Sequence, residues 1–254
     1  MPATLTIVVP VYNEQRRLPA LFEVLDEWAD VIAADADLRL QEVIVVDDGS
    51  TDGTAATLEA RRESDPRLRV IAFATNRGKG AAVRAGMLAA RGEFALAMDV
   101  DVSTPLEEVV ALRRALESGA DVAIGSRSVA GARVLVHQPF YRELMGKTFN
   151  AMFRLFTGLP WRDTQCGFKL FRREAAFELF PRQRVERFAF DAELCVLAHD
   201  LGLRVAEVPV AWRNHPETRV TLVGSSFRMG LDLVLIAWRR RGAEKRSAVA
   251  AAQR

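Results

Sequence analysis

The run EVIVVDDGSTDGT occupies residues 42–54. Its apolar, β-branched first part is typical of a strand that is covered on both faces of a sheet. The acidic, glycine and hydroxyl residues that follow are typical of a turn leading into a helix. A buried strand followed by a polar turn and a helix is the repeating unit of folds with parallel sheets. We therefore predict an α/β fold.

Similar apolar runs on either side extend this prediction. Between the apolar runs at residues 5–11 and 42–48, large apolar residues recur at three- and four-residue spacing, which predicts a helix. These residues are Leu18, Leu21, Phe22, Leu25 and Trp28. The predicted fold is a Rossmann-like, mostly parallel sheet flanked by helices. Strands are predicted at residues 5–11, 42–48, 69–73, 93–98, 121–125 and 206–212, and a loop then a strand at 163–172. Further helices are predicted at residues 79–91, 142–156 and 189–201.

Three acidic clusters directly follow predicted strands, at Glu14, at residues 47–52 and at Asp99-Val100-Asp101. Ligands of parallel sheets bind beyond the carboxyl ends of the strands. Each cluster alone could be merely turn and helix-cap residues, but three at one edge argue against that interpretation. The two carboxylates of Asp99 and Asp101 can converge on one hard cation, Mg²⁺ or Mn²⁺, whose shell substrate phosphates complete. We expect that metal to stabilise a departing nucleoside diphosphate.

The segment NRGKG, residues 76–80, precedes an alanine-rich helical pattern. Its spacing matches neither a P-loop nor a dinucleotide-binding glycine motif. Glycines allow close backbone approach, and Lys79 supplies a charge that could lie near the diphosphate. The alternative, a solvated lysine at a helix start, is disfavoured by the helix dipole.

Together, IVVPVYNE (7–14), VVDDGSTDGT (45–54), NRGKG and the Asp-Val-Asp motif resemble the family 2, GT-A-fold inverting glycosyltransferases. IGSR (124–127) and DTQCGFKLF (163–171) look like the branch that glycosylates polyprenyl phosphates, above all the dolichyl-phosphate glucosyltransferases, with the mannosyltransferases as near neighbours. The resemblance extends to about residue 221. It implies a GT-A catalytic domain at residues 1–221. From the spacing of apolar residues and the charge, residues 222–254 are predicted to form an amphipathic, basic helix and a disordered tail.

The resemblance also implies roles for individual residues. The residues implied to hold the nucleoside are Pro10, Tyr12, Glu14 and Asp47, with Asp48 nearby. The donor would contact Asp99, Val100 and Asp101, and the diphosphate and the metal would be bound by Asp99 and Asp101. Arg127 would lie near the sugar and acceptor, Arg142 would receive the acceptor phosphate, and Arg213 and Arg219 would close over the donor. Mannosyltransferase relatives often carry a glutamine metal ligand where this chain has Ser103, so the coordination beyond the two aspartates is open.

The chemistry of a phosphate acceptor fits these residues. A phosphate monoester is already a nucleophile at neutral pH and needs little general-base help. Arg127 and Arg142 can offer planar, bidentate donors to phosphate. Each arginine alone could instead be a surface residue or part of a structural ion pair. Asp163 could act as a base, but orienting the arginines is the role we favour.

The expected activity is an inverting, metal-dependent transfer of glucose from UDP-glucose to a polyprenyl (dolichyl-type) phosphate. The alternative donor is GDP-mannose with the same acceptor. A second alternative is a non-catalytic protein that binds nucleotide sugars, against which the intact Asp99, Asp101, Arg127 and Arg142 count.

Charge is concentrated at the carboxyl end of the chain. Residues 222–254 carry a net charge of +5, whereas the whole 254-residue chain carries +2. This distribution disfavours nucleic acid as a partner and favours a tail that meets an anionic surface. The apolar positions Phe227, Leu231, Val234, Leu235 and Trp238 are helically spaced, so this segment either lies on a membrane or packs on the core.

The expected location is the cytoplasm, peripheral at the inner face of the membrane. The amino terminus reaches a predicted strand without a leader-like segment, and no apolar run is long enough to span a bilayer. Cys166 and Cys195 lack metal or redox spacing and are expected to be reduced, structural thiols. Residues 248–254 are expected to be disordered.

Overall fold

The computed structural model describes residues 2–35, 37–215 and 228–241. Its strands are β1 (Ala3–Val11), β2 (Leu38–Asp47), β3 (Leu68–Ala72), β4 (Phe94–Ala97), β5 (Val122–Ser126), β6 (Arg133–Val136), β7 (Lys169–Arg172), β8 (Val205–Pro209) and β9 (Ala211–Arg213). Its helices are α1 (Leu18–Asp35), α2 (Thr54–Ser64), α3 (Lys79–Ala89), α4 (Val109–Glu117), α5 (Phe140–Thr157), α6 (Arg173–Leu179), α7 (Phe190–Asp200) and α8 (residues 228–241). Short 3₁₀ turns lie at Leu106–Glu108 and Phe180–Arg182.

Seven strands form the central sheet, in the order β3-β2-β1-β4-β7-β5-β8. β1 is parallel to β2 and β4, β2 to β3, and β5 to β8, while β7 runs antiparallel to both of its neighbours. The predicted mostly parallel α/β sheet is therefore confirmed.

The apolar strand runs follow from cores on both faces of this sheet. Side chains alternate along a strand, so Ile7 and Val9 of β1 point into the core packed beneath α1 and α4, whereas Val8 points into the opposite core. The second core lies beneath α3, α5, α6, α7 and α8. Burial on both faces explains why β1 and β2 read as continuous apolar runs.

The prediction of one continuous strand at residues 206–212 is wrong, because two strands, β8 and β9, occupy this segment. β8 pairs with β5 as far as Pro209, and after Val210 the chain enters a second, two-stranded sheet in which β9 pairs with β6. Proline has no backbone N–H and cannot continue a ladder as a donor. The sequence did not predict β6, because its four residues are mostly exposed and give no burial pattern.

The helix α8 buries one side and exposes another. Leu233 and Ile236 are buried in the second core, and Arg240 binds Asp200 and the carbonyl of Thr157. The exposed apolar residues are Leu231, Val234, Leu235 and Trp238. Among the helices described, none combines the length and apolarity needed to cross a bilayer. Arg219, Phe227 and residues 248–254 lie outside the described residues.

Candidate functional site

The loops after β1 and β2 lie together at the carboxyl edge of the sheet. Asn13 Oδ1 accepts hydrogen bonds from the backbone N–H groups of Thr51 (2.7 Å) and Asp52 (3.2 Å). The Asn13 N–H donates to Ser50 Oγ at 2.8 Å, and the Ser50 N–H donates to Asp47 Oδ1 at 2.9 Å. Asn13 adopts φ 57°, a left-handed conformation that asparagine tolerates better than most residues. We call the loops at residues 12–14, 47–54, 76–79 and 99–103 the acidic edge.

Asp48 anchors the third loop of the acidic edge. Its carboxylate accepts the backbone N–H groups of Arg77 (2.7 Å) and Gly78 (2.8 Å) and the Asn76 side-chain amide (2.8 Å). Burial raises the pKa of Asp48, although the two backbone donors oppose that shift. Gly78 has φ 119°, and a Cβ there would lie 2.5 Å from the carbonyl oxygen of Glu186. The structure thus gives Asp48 a loop-holding role, and its contact with a nucleoside stays a prediction.

Lys79 begins α3 and reaches the Asp-x-Asp motif, with Nζ 2.6 Å from Asp99 Oδ1. Burial disfavours the charge on Lys79, but the carboxylates of Asp99, Asp191 and Asp101 outweigh it and raise the Lys79 pKa. Burial likewise disfavours ionised Asp99, yet Lys79 and nearby cations hold the pKa of Asp99 below its usual value. Lys79 therefore lies beside the motif that is expected to hold the diphosphate, and its own contact with a diphosphate stays a prediction.

The Asp-x-Asp loop is tightly constrained. A Cβ on Gly167 would lie 2.2 Å from Asp99 Oδ2, so any larger residue at position 167 would displace that carboxylate. Asp101 Oδ1 accepts the Ser103 N–H at 3.0 Å. Between them, Val102 has φ 49°, an uncommon and strained conformation for a β-branched residue.

The donor set at this loop fits a hard divalent cation. Asp99 and Asp101 offer carboxylate oxygens, and Mg²⁺ or Mn²⁺ commonly binds through one or two carboxylates together with waters and phosphates. Within residues 2–35, 37–215 and 228–241, no group of three or more His, Cys, Asp or Glu side chains could hold a metal. A cation here would therefore take most of its shell from water and substrate.

A second ion pair lies near Lys79 and Asp99. Lys169 Nζ is 2.5 Å from Asp191 Oδ1 and also donates to the Cys166 carbonyl, and both side chains of the pair are buried. All four charged residues line one small cavity, together with Pro10. Sequence reasoning missed this pair because Lys169 and Asp191 share no local motif.

The two predicted arginines line one cavity of about 100 Å³ beside the acidic edge, which we call the arginine cavity. Asp163 is buried there and accepts three hydrogen bonds from Arg127: from the backbone N–H (2.9 Å), Nε (2.7 Å) and Nη2 (2.8 Å). Burial would raise the Asp163 pKa, but the Arg127 guanidinium more than offsets it and lowers that pKa. Arg142 of α5 lines the same cavity. The geometry supports an orienting role for Asp163.

Trp212 joins the two regions and was missed by sequence reasoning. Its ring lies 5.1 Å from the Arg127 guanidinium carbon, a cation–π contact, and it lines both the arginine cavity and a small cavity beside Asp99. Glu207 was also missed; its carboxylate accepts the Asp163 N–H at 2.8 Å. An acidic residue within an otherwise apolar strand run was the available signal.

The remaining candidates occupy varied positions. Tyr12 is 41% exposed, Glu14 is paired with Arg17 at 3.3 Å, and Val100 is buried in the core. The Arg213 N–H donates to the Ser103 carbonyl at 2.8 Å, which places Arg213 beside the acidic edge. Their contacts with a nucleotide sugar stay predictions, and Arg219 lies outside the described residues.

A larger groove of about 980 Å³ runs between α7 and α8, away from both regions. Four of the five arginines that line it have protein partners: Arg84 donates to the Phe180 carbonyl, Arg182 pairs with Glu178, Arg239 with Glu193, and Arg240 with Asp200. The volume of this groove is therefore no argument for placing the chemistry there.

Comparisons with known proteins identify the family and the fold of this chain. Residues 6–180 match the family described as Glycosyl transferase family 2. Over 257 residues, the chain is 37% identical to a dolichyl-phosphate beta-glucosyltransferase of Drosophila melanogaster, which covers 95% of this chain and 79% of that protein. The protein of the same name from Homo sapiens is 36% identical, covering 92% and 75% of the two chains. That of Saccharomyces cerevisiae is 32% identical, covering 91% and 73%.

A solved structure shares the fold. Glucosyl-3-phosphoglycerate synthase from Mycobacterium tuberculosis, in complex with Mn²⁺, UDP-glucose and phosphoglyceric acid, superposes with a TM-score of 0.69 at 21% identity. The match covers 94% of this chain and 80% of that one, and it shows that this chain has the GT-A fold. With a family match over more than half of its length and relatives above 30% identity, the chain is a glycosyltransferase and belongs to glycosyl transferase family 2.

Proposed function

We propose that this glycosyltransferase moves glucose from UDP-glucose to a polyprenyl phosphate, with inversion at the anomeric carbon. The similarity to dolichyl-phosphate beta-glucosyltransferases supports both the sugar and the lipid class. In the proposed reaction, a phosphate oxygen bonds to the anomeric carbon as the bond to the diphosphate oxygen breaks.

The observation that carries this proposal concerns the carboxylates that line the arginine cavity and the two small cavities beside Asp99. Each of them is already paired with a lysine or an arginine. Asp99 is paired with Lys79, Asp163 with Arg127, Asp191 with Lys169, and Glu143 with Lys147 at 2.6 Å. A sugar hydroxyl needs a general base to become a nucleophile, whereas a phosphate monoester is already ionised. The site therefore suits an acceptor that arrives as an anion.

Arg127 and Arg142 are the residues that would receive this anion. Both line the arginine cavity, and Asp163 holds the Arg127 guanidinium in place from one side. A guanidinium held in this way keeps donors for a phosphate oxygen and loses little side-chain freedom when the phosphate binds.

The acidic edge would hold the donor. Asp99 and Asp101 are the residues that would bind Mg²⁺ or Mn²⁺, which when bound would neutralise charge on the diphosphate leaving group. Because Lys79 is paired with Asp99, its ammonium is also placed to meet a diphosphate oxygen.

A transfer assay tests the proposal. The purified chain is incubated with UDP-glucose, Mg²⁺ or Mn²⁺ and a short-chain polyprenyl phosphate in detergent, and an acid-labile glucolipid is expected. The matched control acceptor is the corresponding polyprenol, which lacks the phosphate and should give no product. GDP-mannose is offered in a parallel reaction, and preferential mannosyl transfer would contradict the choice of donor. Absence of product with every polyprenyl phosphate would refute the acceptor class.

We also propose that α8 meets the cytosolic face of a membrane. Leu231, Val234, Leu235 and Trp238 are between 46% and 71% exposed, whereas Leu233 on the opposite side is fully buried. The exposed apolar residues are followed by Arg239 and Arg241, and both arginines are exposed. An apolar stripe with basic neighbours is the pattern of helices that bind anionic lipid surfaces.

Vesicle sedimentation tests this contact. Trp238→Ala should reduce binding to vesicles that contain phosphatidylserine by about tenfold, because an exposed aromatic contributes on the order of 1 kcal/mol at an interface. The same change should leave thermal stability nearly unaltered, in contrast to Leu233→Ala, which removes a buried side chain. Unchanged vesicle binding by a Leu235→Ala/Trp238→Ala double variant would contradict the contact.

A further inference from the structure

Glu207 of β8 joins two segments of chain that are far apart in sequence. Its Oε1 accepts hydrogen bonds from Ser126 Oγ (2.8 Å) and from the Asp163 N–H (2.8 Å). The Arg162 N–H donates to both carboxylate oxygens, at 3.1 and 3.0 Å. One carboxylate therefore fixes the end of β5 and the start of the loop that leads into β7.

These two segments carry the Arg127–Asp163 pair. Ser126 immediately precedes Arg127, and its Oγ also accepts the Ser128 N–H at 3.2 Å, so the backbone on both sides of Arg127 is held. Asp163, whose own N–H binds Glu207, accepts three hydrogen bonds from Arg127. Glu207 thus contacts the residues that determine where the guanidinium lies, without being among the residues that line the arginine cavity.

We propose that Glu207 is a positioning residue for the acceptor phosphate, acting through Asp163 and Ser126 on Arg127. The inference rests on the proposed function, because it takes the ligand of Arg127 to be a phosphate. Glu207 needs no contact with the substrate for this role. A displacement of about 1 Å in a positioning group can cost about 10²-fold in rate, so loosening the anchor of the guanidinium should impair the reaction.

The acidic edge has its own, separate anchor. Asp48 holds residues 76–78 through two backbone N–H groups and one side-chain amide, and none of these three residues lines the arginine cavity. If Glu207 positions only Arg127, its loss should affect the acceptor and spare the donor. Loss of Asp48 should do the reverse. A purely structural role for either carboxylate would instead reduce activity towards both substrates together with stability.

The test compares Glu207→Gln with Asp48→Asn. Glutamine keeps one oxygen for Ser126 and Asp163 but turns an N–H group towards the Arg162 N–H, which is also a donor. For Glu207→Gln we expect the KM of a short-chain polyprenyl phosphate to rise about 10- to 100-fold, with the KM of UDP-glucose within twofold of wild type. Asp48→Asn should give the opposite pattern. Glu178→Gln, a change in an exposed ion pair on α6, is the control for loss of a surface charge.

A binding measurement separates this inference from the proposed function. Calorimetric titration with farnesyl phosphate, and separately with UDP and Mn²⁺, needs no turnover. Glu207→Gln should weaken farnesyl phosphate binding and leave UDP binding unchanged. If wild type binds farnesyl phosphate but transfers no glucose, the proposed function fails and the positioning role can still be measured. Equal losses for both ligands, or no loss of farnesyl phosphate binding in a folded Glu207→Gln protein, would overturn the positioning role.

Discussion

The acidic edge and the arginine cavity use buried carboxylates in opposite ways. In the acidic edge, Asp47 and Asp48 accept backbone N–H groups and thereby hold loops together. In the arginine cavity, Asp163 accepts a guanidinium and thereby holds a side chain. A carboxylate that binds backbone amides fixes the shape of a site, whereas one that binds an arginine fixes where a cation points. The difference suggests that the two regions can be impaired one at a time.

The largest effect is expected at the Asp-x-Asp motif. Asp101→Ala should lower transfer by at least about 10³-fold, or about 4 kcal/mol, because it removes a carboxylate that would hold the metal at the leaving group. The rate is measured at saturating UDP-glucose over a range of Mn²⁺ concentrations. The control is Glu107→Ala, which removes an exposed carboxylate from the same stretch of chain. Wild-type turnover by Asp101→Ala would show that the acidic edge does not carry the metal.

A smaller and more selective effect is expected at Arg127. Arg127→Lys should lower kcat/KM for the polyprenyl phosphate by about 10²-fold, since an ammonium cannot bind Asp163 and phosphate through a planar fork. The KM of UDP-glucose should stay near its wild-type value, and initial rates with each substrate varied in turn give both constants. Arg133→Lys is the control, because that side chain is 70% exposed. A larger change in the donor constant than in the acceptor constant would break the proposed division between the two regions.

Lys79 is the cation of the acidic edge that pairs with the Asp-x-Asp motif. Lys79→Gln frees Asp99 from its ion pair, so the Mn²⁺ concentration for half-maximal activity should fall several-fold, by about 1 kcal/mol in binding. The KM of UDP-glucose should rise, because a positive charge near the diphosphate is lost. Metal titrations at fixed UDP-glucose measure the first effect. If the Mn²⁺ concentration for half-maximal activity falls but the KM of UDP-glucose does not rise, Lys79 interacts with Asp99 and not with the donor.

The smallest effects are expected in the dependence of stability on pH. Asp163 has a lowered pKa in the folded protein, so its stabilising contribution is present above its ordinary pKa of 3.8 and is lost as pH falls through the folded value. Asp48 has a raised pKa, so its contribution is present in acid and is lost as pH rises through the folded value.

The matched variants Asp163→Asn and Asp48→Asn should therefore diverge. As pH falls from neutral towards 3, the stability advantage of wild type over Asp163→Asn should shrink, and its advantage over Asp48→Asn should grow. Urea denaturation at a series of pH values measures both. Parallel pH profiles for the two variants would contradict the opposite electrostatic environments of these carboxylates.

The two regions also differ in how far the sequence predicts them. The loops of the acidic edge come from contiguous stretches of sequence, most of them a buried strand followed by a polar turn. The sheet and the proximity of these loops could therefore be predicted from local pattern alone. The exact partners could not: the sequence did not indicate that the Asp48 carboxylate binds residues 76–78, while its predicted place near a nucleoside stays a prediction. A local pattern predicts that a polar side chain lies at an edge and does not predict which neighbour it binds.

The arginine cavity is assembled from segments spread over the second half of the chain. Arg127 and Arg142 were indicated by resemblance to a family, and Asp163 could only be assigned one of two roles. Trp212 was missed because one continuous strand is predicted at residues 206–212, whereas the chain changes sheets at Val210. Glu207 was missed because its partners Ser126 and Asp163 are distant in sequence. Without that change, nothing in the sequence brings Trp212 over Arg127.

The change of sheet at Val210 also limits how the length of this segment can vary. Glu207 holds Asp163 at one end, while at the other the Arg213 N–H binds the Ser103 carbonyl beside the Asp-x-Asp motif. Side chains alternate along strands, so inserting or deleting one residue between these points would turn Trp212 away from Arg127 even if every original side chain were kept. We therefore expect natural variants of this glycosyltransferase to tolerate amino-acid exchanges at positions 208–211 far better than changes in their number.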